Sequence, residues 1–133
     1  MAYQFDFSAA RRILRCRFEG HLNDASLKEF YRIGEKYVAW SSPHAGIVDF
    51  TNVSELKVTE RAVVELANSE PLILDPDKPR FLVAPTPLLF EMARIFQMVG
   101  ESTRPNLHIV LNPEEAWRFM RIEEPRFEPI IPI

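Results

Sequence analysis

The sequence predicts an α/β domain on a mixed, mostly parallel five-stranded sheet, with elements in the order ββαβαβαβα. Three observations carry that prediction. Residues 79–120 read twice as a short apolar run, a Thr-Pro or Asn-Pro start signal and a helix, the pattern of consecutive βα units. Phe81-Leu82-Val83-Ala84 is apolar throughout, as a strand covered on both faces requires. Near the start of the chain, apolar and polar residues instead alternate, as they do in half-buried antiparallel strands.

The elements follow in order. Tyr3, Phe5 and Phe7 alternate with Gln4, Asp6 and Ser8 in the first strand. After a turn at Ala9-Ala10-Arg11, Leu14, Cys16 and Phe18 face one way and Arg15, Arg17 and Glu19 the other. This is a hairpin with one wet face, on which Arg11, Arg12, Arg15 and Arg17 are offset by Asp6 and Glu19. The alternative is a patch for an anionic partner. Gly20 to Asn23 leads into a first helix capped by Asn23 or Asp24 and running to about Trp40. Its stripe is Leu27, Phe30, Tyr31, Gly34, Tyr37 and Val38, and Gly34 within it predicts a close approach to the sheet. Gly46 to Phe50 is the third strand, and residues 51–58 read as polar and irregular.

A second helix spans about Thr59 to Asn68, and Ser69 to Lys78 is an exposed loop. Thr86-Pro87 then starts the third helix, and Asn112-Pro113 the fourth, with Glu115 placed to close a capping box. The strand through Val83 is expected at the centre of the sheet and the first hairpin strand at an edge. The crossovers are expected to be right-handed. Residues 1–122 form one domain. Residues 123–133 form a proline-rich apolar tail, with Phe127, Ile130, Ile131 and Ile133, packed across its own domain or laid on a partner.

Composition narrows the function classes. A chain of 133 residues can bury a real core. A net charge of −3 counts against nucleic acid as the main partner. The stretch from Met1 to Asp6 has no secretory signal character, and no apolar run approaches the ~20 residues of a membrane span. With Cys16 as the one cysteine, no internal disulfide can form, which suits a reducing cytoplasm. Cys16 itself reads as a buried, inert thiol. The four glycines are scattered, so phosphate loops of the Rossmann and Walker kinds are not expected. CxxC, HExxH and GxSxG patterns do not occur, and His21, His44 and His108 share no metal-ligand spacing. His108 reads as a residue of the core margin. No cofactor, metal or catalytic residue is expected. A hydrolase would need His44, Asp49 and Ser41 or Ser42 to converge, without the nucleophile elbow that such enzymes use.

The third helix carries the sharpest signal. Leu88, Leu89, Met92, Ala93, Ile95, Phe96 and Val99 are assigned to the sheet side, and Glu91, Arg94 and Gln97 to a polar sector. Phe90 and Met98 flank Arg94 within that sector. Phe90, Arg94 and Met98, at i, i+4 and i+8, form a ridge. Either loops or the tail cover it, or it is a protein interface, preferably of a homodimer. Asp49, Thr51, Ser54, Thr59, Thr86 and Asn112 follow the ends of presumed parallel strands. There ligands bind in open α/β sheets, and there helix caps also need these residue types.

The element order resembles the STAS fold of anti-sigma-factor antagonists, and within it the small SpoIIAA-like proteins. The resemblance rests on Phe18-Glu19-Gly20, Val48-Asp49-Phe50-Thr51-Asn52-Val53, Phe90-Glu91-Met92-Ala93-Arg94-Ile95-Phe96 and Glu114-Glu115-Ala116-Trp117, and covers about Tyr3 to Arg121. It implies a non-enzymatic regulatory module acting through protein partners. In regulatory members an Asp-Ser-Ser/Thr-Gly motif opens the second helix and its hydroxyl is phosphorylated. Here that stretch is Leu56-Lys57-Val58-Thr59-Glu60, which leaves Thr59 as phosphoacceptor or as helix cap. The likeness of SpoIIAA-like proteins to CRAL–TRIO lipid-transfer domains implies a second reading, a carrier for a lipid or other small apolar ligand. A sizeable apolar cavity under Met92 and Phe96 would favour it. The expectation is a cytoplasmic interaction module, homodimeric through Phe90, Arg94 and Met98, with Ile130-Ile131 as a second element.

Overall fold

A computed structural model describes residues 3–131 of the chain; Ile133 of the apolar tail lies outside them. The elements are β1 (Tyr3–Ser8), β2 (Ile13–Asn23), α1 (Asp24–Ser41), β3 (Ala45–Lys57), α2 (Glu60–Ala67), β4 (Arg80–Val83), α3 (Pro87–Val99), β5 (Leu107–Val110), α4 (Pro113–Met120) and β6 (Glu128–Pro129). The sheet has six strands, in the order β5-β4-β3-β2-β1-β6. β2 through β5 run parallel, and β1 is antiparallel to both of its neighbours.

The α/β class and element order agree with the sequence reading, and the differences have physical causes. The sixth strand comes from the tail. Glu128 and Pro129 pair with Phe7 and Asp6, and Ile130 N–H donates to Phe5 O at 2.9 Å. β1 is therefore not an edge. The strand through Val83 is not central either, since β4 lies between β3 and the outer strand β5. β3 continues through residues 51–57, read as irregular, because β2 itself runs on to Asn23 and pairs with it. Register shifts between Arg17 and Glu19 and between Gly20 and His21 break the alternation that would have revealed this. Gly20 supplies the positive φ of 76° there.

The two faces of the sheet divide the core. Phe5, Leu14, Cys16 and Phe18 lie under α1 with Phe30, and Leu82 and Ala84 lie under α3 with Leu89 and Ala93. On the other face Ile47, Phe81, Val83 and Val110 meet Ala116 and Trp117 of α4. β4 thus faces apolar layers on both sides, which is why its sequence does not alternate. Phe127 of the tail joins α4 by packing on Trp117, with ring centroids 5.9 Å apart. The caps fall where the sequence puts them. Asn23, Thr59, Thr86 and Asn112 accept from the N–H of Ser26, Ala62, Leu89 and Glu115. Glu115 reaches back to Leu111 N–H, one residue before the cap it was expected to complete.

Three local expectations change. A Cβ on Gly34 would come within 3.0 Å of Leu72, so the close approach is to the α2–β4 loop more than to the sheet, where Phe5 lies 3.7 Å away. That loop is not simply exposed, because Ile73 is buried in it and Leu72 half-buried. The arginine face of the hairpin pairs with Asp6 as expected but is only partly solvated, with Arg17 at 43% side-chain exposure and Arg15 at 18%. Asp6 is only 1% exposed, it holds both Arg15 and Arg17, and Phe127 lies 3.9 Å over the Arg15 guanidinium.

Both margins of the sheet are modified. The tail strand covers β1. At the other side Gln97 of α3 donates through Nε2 to Leu107 O of β5 at 3.0 Å. His108 on β5 is half-buried against Phe81 and Phe119.

Candidate functional site

α3 separates two environments. Its inner side, Leu89, Met92, Ala93 and Phe96, faces the sheet and α2. Its outer side carries the predicted ridge, and the structure leaves all three ridge residues exposed. Phe90 is 38% and Met98 64% exposed, and Arg94 between them donates, among the described residues, to Gln97 alone, at 3.4 Å. The tail, expected as one cover for this ridge, runs instead beside β1 at the far side of the sheet. Leu88 and Val99, assigned to the sheet side, are also exposed. At ~100° per residue they stand about 120° and 140° from Arg94, past the half-buried Ile95, so they are exposed at the margin of the packed side and not beside the ridge. Ile130 packs back against the core beside Phe5, and Ile131 is exposed.

Inside α3 lies an apolar cavity of about 170 Å³ between the sheet and α1, α2 and α3. Cys16 from the sheet, Tyr31 from α1, Leu72 from the α2–β4 loop, and Met92 and Phe96 from α3 contribute to its wall. Burial, and next the charge of Asp6, raise the Cys16 thiol above its ordinary range, so it stays protonated and unreactive. Two charged side chains complete the wall, Arg80 and Arg104. Both are buried, at 8% and 4% exposure. Arg104 closes the C-terminal end of α2, donating to Leu66 O, Ala67 O and Ser69 O, and to Tyr31 Oη. Arg80 donates to the carbonyls of Ile73, Asp75 and Lys78 and so ties down the loop before β4.

A third feature joins the starts of α1 and α2. Thr59 N–H and Oγ1 both donate to the Asp24 carboxylate at 2.8 Å, while Oγ1 accepts from Ala62 N–H at 3.2 Å. The hydroxyl is thus already used as cap and as clamp, with the Asp24 carboxylate against it and Glu60 next in sequence. A phosphate placed there would meet like charge. Thr59→Ala is expected to cost about 1–2 kcal/mol, the loss of one cap and of a hydrogen bond to a carboxylate. Urea denaturation of the variant checks this, and an unchanged midpoint would contradict it.

The residues named for a hydrolase do not converge. His44 precedes β3 and Asp49 lies five positions further along the extended chain, about 16 Å away. Asp49 accepts from Thr51 N–H and Thr51 Oγ1, and Ser41 Oγ donates to Tyr37 O. Among the described residues no group of three or more His, Cys, Asp or Glu could hold a metal ion, and no helix is long and apolar enough to cross a membrane.

Sequence reasoning offered Asp24 only as a cap of α1, and missed its contact with Thr59 and the two arginines. An arginine opening a strand buried on both faces was a signal for Arg80. Arg104 sits in a loop, and Asp24 meets a partner 35 residues away, so neither had a local one.

The arrangement of strands and helices matches solved structures. The unphosphorylated form of the anti-sigma factor antagonist SpoIIAA superposes with a TM-score of 0.60 at 17% identity, covering 90% of this chain and 98% of that one. The chain has the SpoIIAA fold. The phosphorylated form of SpoIIAA, a Bacillus cell fate determinant, matches with a TM-score of 0.57 at 17% identity, over 89% of this chain and 99% of that one. No protein-family model matches the sequence, and no curated protein does. The agreement with SpoIIAA thus lies in backbone architecture, and the resemblance read from the sequence holds at the level of the fold.

Proposed function

We propose that this chain is a non-enzymatic protein-interaction module of the STAS type that pairs with a second copy of itself through the outer face of α3. The observation that carries the reading is the exposed pair Phe90 and Met98 flanking Arg94, with Leu88 and Val99 also exposed at the margin of the same helix. Aromatic, Met and Arg side chains are the types enriched at interfaces, and a ridge of this shape is self-complementary across a two-fold axis. The SpoIIAA fold supports a regulatory module, since SpoIIAA, the protein in both structures, is an anti-sigma factor antagonist and a cell fate determinant. Thr59 serves as cap and clamp on this reading, rather than as phosphoacceptor.

Sedimentation equilibrium tests the pairing. The wild-type chain is expected to dimerise, and Phe90→Glu, which places two carboxylates in the contact, is expected to weaken association about 100-fold or more. Phe90 is partly exposed, so the variant should keep a melting temperature near that of the wild type. An oligomeric state identical in the two proteins would overturn the proposal.

One observation favours a second reading, a carrier for a small apolar molecule. The cavity under Met92 and Phe96 has about 170 Å³, close to engineered apolar cavities of about 150 Å³ that bind benzene. The size suits a single ring or a short chain better than a two-chain lipid.

A further inference from the structure

We infer that the molecule this cavity takes is a small monocarboxylate with an apolar body, its acid group directed to Arg104 and Arg80. The inference rests on the carrier reading and adds the ligand's charge to it.

The argument begins with the charge of the wall. Arg80 and Arg104 are the charged residues lining the cavity, and both are buried. Buried cations are ordinarily paired with an anion, because desolvation is otherwise uncompensated. Among the described residues neither guanidinium has a carboxylate within 4.0 Å. Their hydrogen bonds go to backbone carbonyls and to the hydroxyls of Tyr31 and Thr103. Arg15 and Arg17 on the opposite face of the sheet, by contrast, share the Asp6 carboxylate.

The two cations also act on one another. Burial first, and then the charge of Arg104, lower the affinity of Arg80 for its proton, against which Asp75 pulls the other way. Burial first, and then Glu35 and Glu70, raise the Tyr31 hydroxyl against the opposing pull of Arg104, and among the described residues neither carboxylate reaches either arginine as an ion pair.

Geometry places the positive charge at one end. Arg80 opens β4, so it lies at the N-terminal end of the parallel strands. Arg104 closes the C-terminal end of α2 and stands over Phe96, 4.7 Å from the ring centroid. The rest of the wall is apolar side chains such as Leu27, Phe50 and Met92, with the protonated thiol of Cys16. Arg104 Nε–H has no hydrogen-bond partner among the described residues. A ligand with an apolar body and one carboxylate would use both parts of this wall, and one negative charge would offset part of the two positive ones.

The test uses three probes of one ring size on the full chain at pH 7: benzoate, its neutral counterpart benzamide, and toluene. Binding is followed by amide shifts in two-dimensional NMR. Benzoate is expected to shift residues of the wall, among them Tyr31, Leu72 and Phe96, and to bind about tenfold or more tightly than benzamide. Ala93→Leu, which fills the cavity from α3, is expected to abolish these shifts. In Arg104→Met the preference for benzoate should fall to about one. If that variant does not fold, the wild-type ratio of benzoate to benzamide decides by itself. Toluene entering while benzoate binds no better than benzamide would overturn the acid and leave the carrier reading standing. Shifts from no probe, or from surface residues alone, would overturn both.

Discussion

Asp6→Ala is expected to destabilise the domain by about 3 kcal/mol, the low end of the range for removing one partner of a buried ion pair. The carboxylate is almost fully enclosed, with a side-chain exposure of 2%, while Arg15 and Arg17 keep 18% and 43%. Arg15 donates to Oδ2 through Nε at 3.1 Å and Nη2 at 2.9 Å. Arg17 places Nε 2.9 Å from Oδ2, outside hydrogen-bond alignment, and donates from Nη2 to Oδ1 at 3.4 Å. The strand register sets this up by placing Asp6 directly across from Arg15. Removing the carboxylate leaves Arg15 half-buried beneath Phe127 without an anion, while Arg17 can turn to water, which keeps the cost at the low end. Asp6→Asn retains an acceptor and should cost less. Guanidinium denaturation of the three proteins measures this, and a loss under 1 kcal/mol for the alanine variant would show the cluster to be surface-like.

Phe18→Ala is expected to cost about 4 kcal/mol, in the range for deleting an enclosed aromatic ring. Phe18 is 1% exposed. Its ring stacks on Phe50 of β3 at 5.3 Å and meets Phe30 of α1 edge-on at 5.3 Å, and Tyr3 of β1 lies 5.9 Å away. It therefore ties three strands to the first helix. A loss of this size is a large share of the ~5–15 kcal/mol that holds a domain of ordinary stability. Thermal melting by circular dichroism reads it out. Phe18→Leu should recover more than half of the loss, because most of the volume returns. A melting temperature within 3 °C of wild type for the alanine variant would contradict the packing described.

Features with a short sequence period were legible before the structure. The Thr-Pro and Asn-Pro starts marked α3 and α4, and the all-apolar Phe81-Leu82-Val83-Ala84 marked a strand covered on both sides. Phe90, Arg94 and Met98 were placed on the outer sector of α3 from their spacing alone. What was not legible depends on residues far apart in the chain. The continuation of β3 past Phe50 is set by pairing with β2 across two register shifts. Glu128 and Pro129 become a strand only because β1 offers a margin, and no alternation in two residues can announce that. The positive end of the cavity is assembled from Arg80 and Arg104 on two separate segments. Leu88 and Val99 were assigned inward because they stand about 120° and 140° from Arg94, opposite the polar sector, and their exposure depends on how far neighbouring elements reach, which no helical angle encodes.

The tail strand beside β1 and Gln97 on the carbonyl of Leu107 have a consequence for how copies of this protein can diverge. Main-chain pairing at a sheet margin is indifferent to sequence, so proteins that meet that way cross-react with their near relatives. With both margins narrowed here, recognition is left to side chains such as those of α3. A duplicated gene could then acquire a separate set of partners through one or two charge changes at positions 90, 94 and 98, with the fold untouched.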